Sequence, residues 1–135
     1  MNEKALESYN HAVECALDIF LTRYNRAQRF AKLGRWQDCV DECERIVVEP
    51  PRMEHDLIVY AHLGFALACT GKTGEGAKWL HRILQYNPQH FKALKLLGIV
   101  HHAQKEMSQA RHYLTRANEV EPGDPLVAEV LQASY

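Results

Sequence analysis

Apolar residues in the N-terminal part of the chain recur every three or four positions. Leu6, Tyr9, Val13, Ala16, Phe20, Tyr24, Ala27 and Phe30 share this spacing, and no proline or glycine interrupts residues 3–33. The spacing predicts either one helix of about 45 Å or two helices separated by a break near Asp18 to Thr22. Further along, apolar runs of helical length predict helices near 54–70, 74–87, 89–104 and 108–120, the last with Ser108 as N-cap. Asp124 is placed as N-cap and Pro125 in the first turn of a final helix. Its Leu126, Val127, Val130 and Leu131 make one face, with Glu129 and Gln132 on another. Runs of β-branched residues are scarce, the longest being "RIVVE" from Arg45 to Glu49. The chain reads as all-α.

The pattern also recurs at long range. Leu63-Gly64 returns 34 residues later as Leu97-Gly98, Leu80 as Leu114, and Asn87-Pro88 as Glu121-Pro122. A glycine inside an apolar helix costs about 1 kcal/mol relative to alanine, so Gly64 and Gly98 call for a compensating reason. Close helix crossings supply one, with Gly64 expected to face Gly76 or Ala77 and Gly98 expected to face Ala110. A weaker copy precedes these two, with Ala27, Phe30, Gly34, Trp36, Cys39, Cys43 and Pro51 in the corresponding places. Pro51 and Pro88 are 37 residues apart, which puts three extra residues near Arg52 to His55.

These segments resemble the tetratricopeptide repeat, a helix-turn-helix unit of 34 residues. The resemblance spans roughly residues 20 to 122 and implies a right-handed α-solenoid of antiparallel helix pairs. It divides a single domain, residues 1–135, into an N-terminal helix (1–19), a degenerate repeat (20–53), two regular repeats (57–90 and 91–124) and a capping helix (125–135). A polar-faced terminal helix is what an open solenoid end requires.

Composition narrows the chemistry. The formal net charge is −1, so nothing draws the whole chain to nucleic acid or an anionic membrane. No apolar run approaches the roughly 20 residues of a membrane span, and the expectation is a cytoplasmic protein. The stretch "ALACTGKTGEG", Ala66 to Gly76, fits the loose spelling of a phosphate-binding loop. A working loop needs a strand before Gly71, and the preceding residues have helical spacing, so Gly71 is expected to turn between two helices. The four cysteines form no C-x-x-C pair. Cys39 with Cys43, and His11 with Cys15, are each four apart. Two such pairs could bind zinc if they converged, but Cys39 and Cys43 occupy core places and are expected to pack as small hydrophobes. His101 and His102 are adjacent and point about 100° apart on a helix. No nucleophile and base are suggested by spacing, so the expectation is no enzyme activity, no cofactor and no metal.

In the resembled family the first helix of each pair lines a concave groove. Here this implies a peptide-binding groove of Tyr24, Gln28, Ile58, His62, Phe65, Lys92, Lys95, Ile99 and His102, apolar in the middle and basic at one end. One branch of the family holds chaperone C-terminal carboxylates with lysine, asparagine and arginine. In this chain Tyr24, Gln28, His62 and Leu96 stand in four of those places and Lys92 alone matches. An apolar peptide anchored by Tyr24, Phe65 and Ile99, with Lys92 or Lys95 on an acidic residue, suits the lining better. The expected function is a non-catalytic adaptor, scaffold or chaperone whose partner is another protein, with the chain's own N-terminal helix as another occupant of the groove. The alternative is a self-assembling homo-oligomer formed through the N-terminal helix or the capping face.

Overall fold

A computed structural model of the chain describes residues 21–52 and 54–135. These residues form seven helices: α1 (21–32), α2 (Trp36–Ile46), α3 (Glu54–Cys69), α4 (Thr73–Tyr86), α5 (Phe91–Ala103), α6 (Met107–Val120) and α7 (Pro125–Ala133). Neither a strand nor a bridge occurs among the described residues. The expected helix over residues 1–19, its junction with α1, and His11 and Cys15 lie outside them.

The 34-residue period fixes the backbone closely. α4 and α6 start and end at equivalent places, and α3 and α5 end at equivalent residues, Cys69 and Ala103. The surplus near Arg52 to His55 appears as helix. α3 has 16 residues against 13 in α5, and the added turn is at its N-terminus. Asp56, buried in that turn, accepts a hydrogen bond from the Arg52 amide at 2.8 Å. α2 is correspondingly short, 11 residues against 14 in α4. Val47 turns extended at its end, because two β-branched valines precede Glu49-Pro50-Pro51 and a residue before proline is disfavoured in a helix.

The turns within the three pairs are copies of one another. Arg35 donates its amide to the Phe30 carbonyl, Lys72 to Leu67 and Glu106 to His101, each at 2.9 Å. Such six-to-one closures need a left-handed residue just before the donor. Gly34 and Gly71 supply it, with φ of 74° and 97°, and in the third pair Lys105 takes it with φ of 64°. After Lys105 only Glu106 separates the turn from α6, so the expected cap at Ser108 does not form. Ser108 lies inside the first turn of α6, where its hydroxyl accepts from Arg111 at 3.4 Å. The expected cap at Asp124 is present and accepts from Leu126 and Val127, both at 3.0 Å. His90 caps α5, its Nδ1 accepting from the Ala93 amide at 3.2 Å. This role was absent from the sequence reading because histidine is not a usual N-cap residue.

Three apolar clusters lie along the stack. One joins α1, α2 and α3 through Ala27, Cys39, Cys43, Val59 and Leu63, the second joins α3, α4 and α5, and the third joins α5, α6 and α7. Each is shared between neighbouring helices, the quasi-one-dimensional packing of a solenoid. α3 is sandwiched between α2, α4 and α5, which is why apolar residues occupy most of its circumference.

The two interior glycines have different neighbours. A Cβ on Gly64 would lie 2.8 Å from the Gly76 carbonyl oxygen, and one on Gly76 would strike the Gly64 carbonyl. α3 and α4 thus meet backbone to backbone, as expected. A Cβ on Gly98 would strike the Leu114 side chain, not Ala110. There the space left by glycine is filled by a leucine from the facing helix.

Candidate functional site

α3 and α5 are in direct contact, and with the α1–α2 pair they enclose a concave pocket of about 290 Å³. Ala61, His62 and Phe65 from α3, Leu96 and Lys92 from α5, Ala31 and Lys32 from α1, and Trp36 and Cys39 from α2 line it. The periodicity of α3 places Ala61 and Phe65 on one face, four residues apart. Trp36 meets Phe65 edge to face, with centroids 5.5 Å apart, giving the pocket an aromatic wall.

Next to this wall is a polar relay. Gln28 donates through Nε2 to the Tyr24 hydroxyl at 3.2 Å, and that hydroxyl lies 2.9 Å from His62 Nε2. The direction of the Tyr24–His62 bond is set by which ring nitrogen of His62 carries the proton. Burial, with the charge of Lys92 as a second cause, pushes His62 down to about 4 and favours the neutral form. Burial also raises the Tyr24 hydroxyl above its usual range. Lys92 is lowered by burial of its stem and then by Lys95 nearby, while its side chain remains partly open to solvent.

The structure therefore brings Tyr24, Gln28, His62, Phe65 and Lys92 into one neighbourhood. Ile58 and Ile99 are half-buried and do not line the pocket. Lys95 is drawn away to Asp124, 3.1 Å from its carboxylate and 5.7 Å from the Phe91 ring centroid. His102 also turns to the end of the chain, with Nδ1 2.9 Å from the Ser134 hydroxyl. Both side chains hold α7 in place. Trp36, Ala31 and Cys39 are lining residues that the sequence reading left out of the groove. The aromatic at the start of α2 was a signal, but only the crossing of α2 over α3 brings it next to Phe65.

Other candidate chemistry has structural roles. The Lys72 amide, which a phosphate loop would direct at its ligand, is spent on Leu67. Cys39 and Cys43 are buried in the first cluster. A hydrogen bond from Cys43 lowers Cys39, and the same bond with burial raises Cys43. His101 stacks on Tyr113 with centroids 5.4 Å apart and lies 3.4 Å from the Glu106 carboxylate. No group of three or more metal-ligating side chains converges among the described residues. None of their helices is long and apolar enough to cross a membrane.

Comparison with known proteins agrees with this geometry. Residues 70–133 match the tetratricopeptide repeat family model. No curated sequence is significantly similar to the chain. Among solved structures, the first repeat domain of Spaghetti (RPAP3), bound to the HSP90 peptide SRMEEVD, superposes with a TM-score of 0.73 at 16% identity, covering 85% of this chain and 89% of that one. A mutant of MamA gives 0.72 at 25% identity, over 87% of this chain and 67% of that one. The Sgt2 repeat domain of Aspergillus fumigatus gives 0.74 at 13% identity, over 85% and 76%. The C-terminal half of the chain thus matches the tetratricopeptide repeat model, and the described residues have an all-α, solenoid fold of that kind.

Proposed function

We propose that this chain is a non-catalytic protein-interaction module whose concave face takes a segment of another protein. The observation that carries the reading is the apolar pocket under Trp36 and Phe65, with lysines at its edge and a neutral polar relay beside it. Such a lining buries apolar side chains and orients them by a few polar groups, and it contains no paired nucleophile and base. The RPAP3 neighbour is seen with a chaperone peptide on the same fold, and a peptide or helical segment is the corresponding partner here. An adaptor, scaffold or chaperone role follows from such binding.

Phe65→Glu tests it. The substitution places a carboxylate against the aromatic wall, and every partner captured by wild-type protein from native cells is expected to be lost. Retention of all partners by a folded Phe65→Glu variant would remove the groove as the binding face.

A further inference from the structure

We infer that the pocket selects an apolar residue within a peptide, flanked by aspartate or glutamate, in preference to a terminal carboxylate. The inference rests on the groove being the binding face, and concerns the chemistry of what binds there.

Charge is the first argument. Several cations of the described residues have acidic partners: Arg26 and Arg45 on Glu42, Arg35 on Asp38, Arg82 on Glu49, Lys95 on Asp124. Lys32 and Lys92, which share the pocket, have no acidic partner among the described residues. Lys92 also bears a stem buried against the pocket, so an anion beside it would relieve repulsion from Lys95 as well as pair with it. Two ammonium groups on one apolar cavity, neither paired with an acid among the described residues, complement an acidic ligand.

Donor supply is the second. A desolvated terminal carboxylate needs several donors fixed around its two oxygens. Beside this pocket Gln28 donates to Tyr24, and Tyr24 pairs with His62, and neither arginine nor asparagine is among the lining residues. The lysines are exposed donors at the edge, suited to side-chain carboxylates that remain hydrated. The interior, with Trp36, Ala61, Phe65 and Leu96, offers mainly apolar surface. An apolar anchor inside and carboxylates outside is the combination that satisfies both.

Fluorescence anisotropy with the full chain tests this using three labelled probes, each a C-amidated peptide with Leu-Phe between two flanking pairs of Glu, Gln or Lys. The Glu probe is expected to bind about tenfold more tightly than the Gln probe at low salt, with the gap closing as salt screens it. The Lys probe is expected to bind weakest. A free-acid version of the Glu probe should bind within about twofold of the amide, since one more hydrated surface charge adds little. Lys32→Met with Lys92→Met should remove the Glu-over-Gln preference, while Lys72→Met with Lys78→Met, an equal loss of surface charge away from the pocket, keeps it. Equal binding of Glu and Gln probes, dependence on the free carboxylate, or no binding of any probe overturns the inference. Loss of partner binding in Phe65→Glu would still support the groove in those cases, so the two readings fail separately.

Discussion

The second and third helix pairs share a backbone and differ in how they pack it. α4 and α6 begin and end 34 residues apart, yet α3 crosses α4 with glycine on glycine while α5 crosses α6 with glycine under leucine. At the first crossing a Cβ on either glycine would meet the other's carbonyl oxygen before any side chain, with Leu80 next, 3.0 Å from one on Gly64. The second is closed by the side chain of Leu114, which is fully buried. The turns differ in the same way: Gly71 adopts its left-handed conformation freely, whereas Lys105 adopts it against its own Cβ. A repeat thus prescribes where helices go, and each copy finds its own side chains to allow it.

Gly76→Ala is the strongest test of this contrast. Alanine is the better helix former by about 1 kcal/mol, but its Cβ meets the Gly64 carbonyl. Overpacking of this kind costs about 3 kcal/mol when only backbone can yield. Urea denaturation should show a lower midpoint, and an unchanged midpoint would mean that α3 and α4 separate at little cost.

The pocket side of α3 should respond to pH. His62 is a base whose folded value, about 4, lies below its ordinary 6.5. The unfolded state therefore binds more protons between these values, and stability rises with pH. The contribution of the neutral ring is complete above pH 6.5, declines as pH falls from 6.5 towards 4, and is level below that. The loss is on the order of 2 kcal/mol after discounting partial exposure. His62→Gln should flatten this part of a stability–pH profile. His81 and His90, both lowered chiefly by burial, act in the same direction and remain in the variant. A profile identical to wild type would show that His62 is not held neutral.

Gly98→Ala is expected to cost less than Gly76→Ala, about 2 kcal/mol, because its Cβ meets a buried side chain and not backbone. Pairing it with Leu114→Ala should give a total smaller than the sum of the single changes, since both occupy one space. Additive losses would show that the two residues do not share it. The smallest effect is a gain: Lys105→Gly should stabilise the third turn by about 0.5–1 kcal/mol by removing left-handed strain. No rise in thermal midpoint would mean that the Lys105 backbone carries no such strain.

Much of the fold was legible because helical spacing, the 34-residue period and proline positions are local or periodic signals. Gly64 facing Gly76, the cap at Asp124 and the turn at Gly71 all followed from them. The misses have a common origin. Ser108 has the right side chain for a cap, but the tight turn at Lys105 starts α6 before it. Gly98 was matched with Ala110 by analogy of position, whereas the bulk that meets it comes from Leu114. The groove was expected as a stripe along the first helices, and of its residues His62, Phe65 and Lys92 line one pocket with Tyr24 and Gln28 hydrogen-bonded beside it.

Sequence by itself therefore determined the all-α class, the helix pairing and the register, because each is set by backbone hydrogen bonding and by which side of a helix is apolar. Only the tertiary structure decided which groove residues share a pocket. Trp36 enters it from a second-layer helix, and Lys95 and His102 leave it for Asp124 and Ser134. Those choices depend on where long side chains find partners across the stack, and the spacing of residues along one helix does not contain that distance.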